Sequence, residues 1–196
     1  MDDRLPLFPL SRPLLPGGGM DLRVFETRYL DMVSACMRRD AGFVACLVHG
    51  AGEADPRGRP GGVGSYVRIT DFDRLSDGLL GIRIRAEQRV RLSASEQQAD
   101  GLWTGHATPV PDDGPVPVEA GLEPLAELLR DFYRRYRGGP ADEGRFRDAT
   151  WVGSRLLERL PLGTGEYERL MLCDPVERLR ELDRAVRRMA ARDASS

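Results

Sequence analysis

The chain opens with Leu5-Pro6-Leu7-Phe8-Pro9-Leu10, turns at Leu15-Pro16-Gly17, and enters Leu22-Arg23-Val24-Phe25-Glu26-Thr27-Arg28-Tyr29. Each proline bars its predecessor from the helical region, so the opening segment is extended. Pro6 and Pro9 also lack the N–H that a ladder requires, which predicts a segment at a sheet edge. Pro16 to Gly19 reads as a turn. From Val24 to Arg39 the side chains of Phe25, Tyr29, Met32, Val33, Cys36 and Met37 fall at helical spacing, and Gly42 ends the pattern. Phe8, Phe25 and Tyr29 are expected in the core. Glu26 and Arg28 are two apart and face different sides of a helix, so either is expected to pair with another segment and lock the helix to the sheet, with a substrate contact as the other reading.

Working outward, Phe43 to Val48 reads as a buried strand, and residues 50–62 read as a loop by composition. Val63, Ser65, Val67 and Ile69 alternate with polar neighbours as a strand, and Asp77-Gly78 marks a hairpin. Ile82, Ile84, Ala86, Val90 and Leu92 then point one way, with Gln88 alone breaking the pattern. Arg83, Arg85, Glu87, Arg89 and Arg91 point the other way. Leu102 to Val110 is the last strand. Pro109, Pro111, Pro115 and Pro117 form a stiff connector, beyond which the pattern is helical. Helices are expected over Leu122–Arg137, Asp142–Leu160 and Glu166–Cys173. Asp174-Pro175-Val176-Glu177 opens a last one with a cap, a first-turn proline and an acidic third residue. The class is α+β, with a β unit over 1–117 and a helical unit over 118–196.

The 196 residues are 41% hydrophobic and 31% charged, with a net charge of −2. That balance suits a packed globular core and does not suit a chain whose main partner is nucleic acid. All 29 basic residues are arginine. Without lysine, a Walker A loop, a Schiff-base enzyme and a Ser–Lys dyad are chemically impossible in these residues. Cys36, Cys46 and Cys173 make an odd count without a CxxC, which points to thiols in a reducing compartment. The acidic, proline-interrupted start is not a signal peptide, and no 18-residue apolar run spans a membrane, so a cytoplasmic protein is expected.

Little here resembles catalytic equipment. His49 and His106 are far apart and outside any metal-ligand spacing. Ser65 and Ser154 lie in VGSYV and VGSRL, not in GxSxG. The three cysteines sit in apolar stretches that raise a thiol's pKa. Gly17 to Gly19 and Gly58 to Gly64 lack the strand and helix that would make a phosphate cradle, and they read as turns. No catalytic, cofactor-binding or metal-binding residue is therefore assigned. The Arg83/Arg85/Arg89/Arg91 stripe is the one candidate ligand face. It reads first as the solvated side of a half-buried sheet, and second as a nucleic-acid backbone contact without the stacking aromatics that a single-strand binder uses.

The opening residues resemble the signature of the Lon protease N-terminal domain: an LPLFPL strand, a PG turn (Pro16, Gly17) and a VFE-x-RY helix start carrying Phe25, Glu26, Arg28 and Tyr29. The resemblance continues through Val63-Gly64-Ser65, Asp77-Gly78, Gln88-Arg89-Val90-Arg91-Leu92, Leu160-Pro161-Leu162, and Asp174-Pro175 with Arg178-Leu179. Gly18-Gly19-Met20 and Ala86 depart from the usual pattern. The resemblance implies a PUA-like β pseudobarrel holding one helix, followed by a helical bundle. It also implies recognition of unfolded or tagged polypeptide on behalf of an ATPase and a Ser–Lys protease, neither of which these residues contain. A stand-alone, ATP-independent binding module for unfolded polypeptide or a partner protein is expected, with no cofactor. A nucleic-acid-binding barrel is the alternative, and an unrecognised enzyme the third reading. Leu179, Leu182, Val186 and Met189 form one stripe on the last helix. It is expected either to pack on the helix at 142–160 or to serve as a binding face, such as a homodimer contact.

Overall fold

The computed structural model describes residues 4–50, 58–136 and 142–193. The chain divides into two compact units. The first comprises residues 1–111 with 163–168, and the second comprises 112–162 with 169–196.

The first unit is a mixed sheet. Its strands are β1 (Arg4–Leu10), β2 (Gly19–Val24), β3 (Phe43–His49), β4 (Arg59–Arg74), β5 (Leu80–Gln97) and β6 (Trp103–Pro109). The order is β2-β5-β4-β3-β1-β6, and a further β5–β6 pairing closes all but β2 into a ring. Over Arg4–Leu7 β1 is therefore no edge strand, contrary to the expectation from Pro6, whereas Pro9 lies beyond the β6 pairing. It runs parallel to β3 and antiparallel to β6, and the ladder tolerates Pro6 and Pro9. The expected loop ends earlier than its composition suggests. Arg59 to Gly62 already belong to β4, while 51–57 lie outside the described residues.

Gly64 is in a strand, not a turn. A Cβ there would stand 2.6 Å from the Ala45 carbonyl oxygen and 2.8 Å from Val44 Cγ1, so glycine lets β4 and β3 approach. Gly78, with φ of 85°, closes the β4–β5 hairpin where Asp77-Gly78 predicts it. Helix α1 (Thr27–Arg38) starts later than the periodicity suggests, because Glu26 is still extended at the N-cap. It buries Tyr29, Met32, Val33 and Cys36. These pack with Val24, Phe43, Val67, Ile82, Ile84 and Ala86 in one cluster, while Leu7, Val44, Cys46 and Val90 form a second.

The second unit contains α2 (Glu123–Tyr136), a 3-10 helix (Glu143–Arg147), α3 (Ala149–Leu157) and α5 (Pro175–Asp193). α4 (Thr164–Leu172) is divided, its residues up to 168 belonging to the first unit. The single helix expected over 142–160 is two pieces. Asp148 is extended and caps α3 by accepting the Thr150 N–H (3.0 Å), and it also accepts the Val116 N–H (3.1 Å). Asp174 caps α5 as predicted, accepting the Val176 N–H at 2.8 Å. α3 and α5 pack together, with Val152, Leu156, Leu179 and Leu182 buried. Arg178 is fully buried. Its guanidinium donates to the carbonyls of Leu170 (2.7 Å) and Cys173 (2.9 Å) and lies 3.3 Å from Asp113 Oδ2. Those bonds satisfy carbonyls that the end of α4 leaves open.

Candidate functional site

β2 decides where the first unit opens. Along Gly19–Val24 the exposure alternates, so Met20, Leu22 and Val24 turn inward and Asp21 and Arg23 turn outward. The chain then leaves the strand before the helix begins, and Phe25 falls on neither element. It is 63% exposed, which overturns its expected place in the core. The ring stands at the rim of a cleft of about 460 Å³ lined by residues 8–12, 20–23, Phe25, Glu26 and Tyr29. Phe8 and Tyr29, which do pack inward, form an aromatic pair with ring centroids 4.4 Å apart, and Phe43 stands behind Phe8 at 5.9 Å. A neighbouring cleft of about 450 Å³ shares residues 21–23 and carries exposed Phe72.

The charges around the cleft are nearly all engaged. Arg28 meets Glu26 at 2.6 Å, donates to the Gly101 carbonyl at 2.9 Å and lies over the Tyr29 ring at 4.8 Å. Arg28 thus ties the helix start to the β5–β6 turn, as expected of a locking residue. Glu26 pairs with Arg28 itself, because it precedes the helix and the helical spacing rule does not govern it. Asp21 meets Arg83 at 2.8 Å, and Arg23 pairs with Asp77. Arg12 has no ion-pair or hydrogen-bond partner among the described residues.

The lining of the cleft holds no cysteine or histidine, and burial pushes the Tyr29 phenol up to about 12, so it stays protonated. Burial likewise raises the thiols of Cys36, Cys46 and Cys173. The Ser65 hydroxyl donates to the Leu14 carbonyl (2.6 Å) and that of Ser154 to the Thr150 carbonyl (2.7 Å). His49 lies 3.1 Å from Glu168, which also accepts the Gly62 N–H at 2.8 Å. No cluster of three or more metal-ligating side chains occurs among the described residues.

The other predicted residues disperse. Pro6 and Pro9 lie in β1, and Pro16 and Gly17 form the turn before β2, where the Gly17 N–H donates to the Ala86 carbonyl at 2.9 Å. The arginine stripe is broken. Tyr66 pairs with Gln88 but Val67 pairs with Ala86, so Glu87 is an extra residue in β5 and the alternation reverses beyond it. Arg83, Arg85 and Arg91 are exposed, whereas Arg89 is 3% exposed and donates to the Pro111 carbonyl at 2.8 Å. On α5, Leu179 and Leu182 are 0% exposed and form no accessible face, while Val186 and Met189 are half-buried.

β2 and Arg178 escaped the sequence reading. The alternation Met20, Leu22, Val24 was a usable signal for β2, and the step from Val24 to Phe25 marks the side chain that turns out. Arg178, four residues after a helix cap, carried no such signal.

The fold is that of a small α+β module built on a closed β ring. The family follows from comparison with known proteins. Residues 4–192 match the model of the ATP-dependent protease La (LON) substrate-binding domain, and the chain belongs to that family. It is similar to a Lon N-terminal domain protein from Xanthomonas campestris, with 37% identity and a TM-score of 0.72 over 91% of this chain and 96% of that one. It also resembles in fold the N-terminal domain of a Mycobacterium avium complex Lon protease, at 18% identity and a TM-score of 0.64 over 93% and 97% of the two chains. No curated protein is a significant match. No helix among the described residues is long and apolar enough to cross a membrane.

Proposed function

We propose that this chain is a non-catalytic polypeptide-binding module, and that it holds unfolded polypeptide or a partner protein in the cleft beneath Phe25. One observation carries this reading: a family-motif aromatic ring, largely exposed to solvent, lines the same cleft as Phe8, Met20, Leu22 and Tyr29. An exposed ring in such a lining suits an apolar side chain delivered from outside. The nucleic-acid reading loses support, because Arg89 faces inward and Arg83 is paired with Asp21.

Reduced, carboxymethylated α-lactalbumin serves as a permanently unfolded probe, and fluorescence anisotropy reads its binding. Burying one aromatic ring contributes on the order of 1.5–3 kcal/mol, so Phe25→Ser weakens binding about tenfold or more. Because Phe25 is exposed, the thermal midpoint of the variant stays close to that of the parent. Unchanged affinity in a folded Phe25→Ser protein refutes the cleft as the contact surface.

A further inference from the structure

The pairing pattern of the sheet leaves a slot. β6 reaches β1 only from Arg4 to Leu7, and it reaches β5 only from Val90 to Gln97. Over Leu80–Arg85 β5 is covered by β2, and β2 ends the strand order. In an antiparallel pair every second residue turns its N–H and C=O away from the partner strand. Among the described residues, no hydrogen bond satisfies the groups of β2 that turn away from β5. β1 is similar at Phe8–Leu10, with β3 on one side and no strand on the other. The 460 Å³ cleft lies between these two lengths of strand.

An open edge of this kind is a template for pairing, and folded proteins usually shield it with free charges, a proline or a bulge. The charges of β2, Asp21 and Arg23, are already taken up by Arg83 and Asp77. β2 has no proline and no bulge, since its ladder with β5 runs in unbroken register from Gly19 to Val24. The slot also has a chemical character. Met20 and Leu22 are half-buried on the cleft side, which suits apolar side chains at alternate positions of an incoming strand. Asp21, Arg23 and Glu26 are all paired, and Arg12 stands at the same cleft without a partner among the described residues. The uncompensated charge of the slot is thus positive, and its complement is a carboxylate.

We propose that the free edge of β2 is a strand-addition site. Its occupant is an extended segment of another polypeptide, with apolar side chains at alternate positions and a carboxylate opposite Arg12. The proposal rests on the polypeptide-binding reading above and specifies its mode: the main chain of the occupant continues the sheet, and its side chains fill the cleft.

The probe is a fluorescein-labelled decapeptide of alternating valine and threonine with one central glutamate. Two further copies are N-methylated, one at the odd amides and one at the even amides. A strand added to one edge turns only every second N–H toward it, so one pattern weakens binding about tenfold or more and the other changes it by about twofold at most. Equal affinity for the two methylated copies overturns strand addition. An unmethylated peptide that does not bind also overturns it, and α-lactalbumin binding then reports separately whether the polypeptide-binding reading survives. Arg12→Glu weakens the glutamate peptide and favours a lysine version, each by up to about fivefold, as expected for an exposed ion pair. No change with either peptide overturns the carboxylate assignment.

Discussion

At Tyr29 burial acts on a single proton. The phenol is raised from 10.0 to about 12, because the buried site penalises the tyrosinate. The unfolded chain therefore loses this proton at lower pH than the folded one. The stabilisation due to the neutral phenol is complete below pH 10 and is lost as pH rises through about 12. Tyr29→Phe has no proton to lose, so its stability at pH 7 stays near the parent's and its decline between pH 10 and 12 is shallower. Denaturant melts across that range check this, and an equal slope in both proteins contradicts it. The same burial was legible in advance from the spacing of Tyr29, Met32, Val33 and Cys36. The exposure of Phe25 was not, because counting it as helical gave it an inward face. The actual boundary, an extended Glu26, depends on where β2 ends against β5, which is a long-range fact. Arg178 shows the opposite failure. A charged residue within a helical pattern reads as solvated, and the open carbonyls at the end of α4 together with Asp113 give it a reason to be buried.

Among the elements, the β3–β4 pair is tightly constrained at Gly64. Gly64→Ala places a methyl group against the Ala45 carbonyl and Val44, both on a neighbouring buried strand with no flexible end to move aside. Overpacking of this kind costs about 1–3 kcal/mol, and a thermal or urea melt reads the loss directly. A variant as stable as the parent means that the two strands separate more easily than their register suggests. The strands themselves were readable where alternation is long, as in β5, and β5 also carried the warning of its own irregularity in Gln88. Taken as a mere blemish in the pattern, Gln88 hid the reversal at Glu87 and left Arg89 on the wrong face. The helices were readable as apolar stripes but not in their divisions. Nothing in the apolar spacing shows that Asp148 accepts the Val116 N–H and caps a new helix at Ala149.

For the whole molecule, the class and family were legible because residue identity and spacing agree together at the start of the chain. The cleft was legible only as a set of motif residues whose roles looked architectural. Closure of the sheet and the unfinished edge of β2 arise from strand order, which local patterns do not encode. At this scale the chemistry also yields an expectation. The purified chain neither hydrolyses ATP nor cleaves unfolded protein, because a Walker A loop and a Ser–Lys dyad each need a lysine and it has none. Phosphate release and gel analysis of the α-lactalbumin probe test this, and turnover that co-elutes with the protein through repurification refutes it. The division of the chain bears on a different matter, its inheritance. Residues 163–168 complete the first unit from far along the sequence, and among them Glu168 accepts from Gly62 and approaches His49. A single recombination crossover near Pro111 would hand a descendant the sheet without that carboxylate. The two units are not cassettes that evolution can shuffle by one exchange, because the β4 amide at Gly62 would then lose its acceptor.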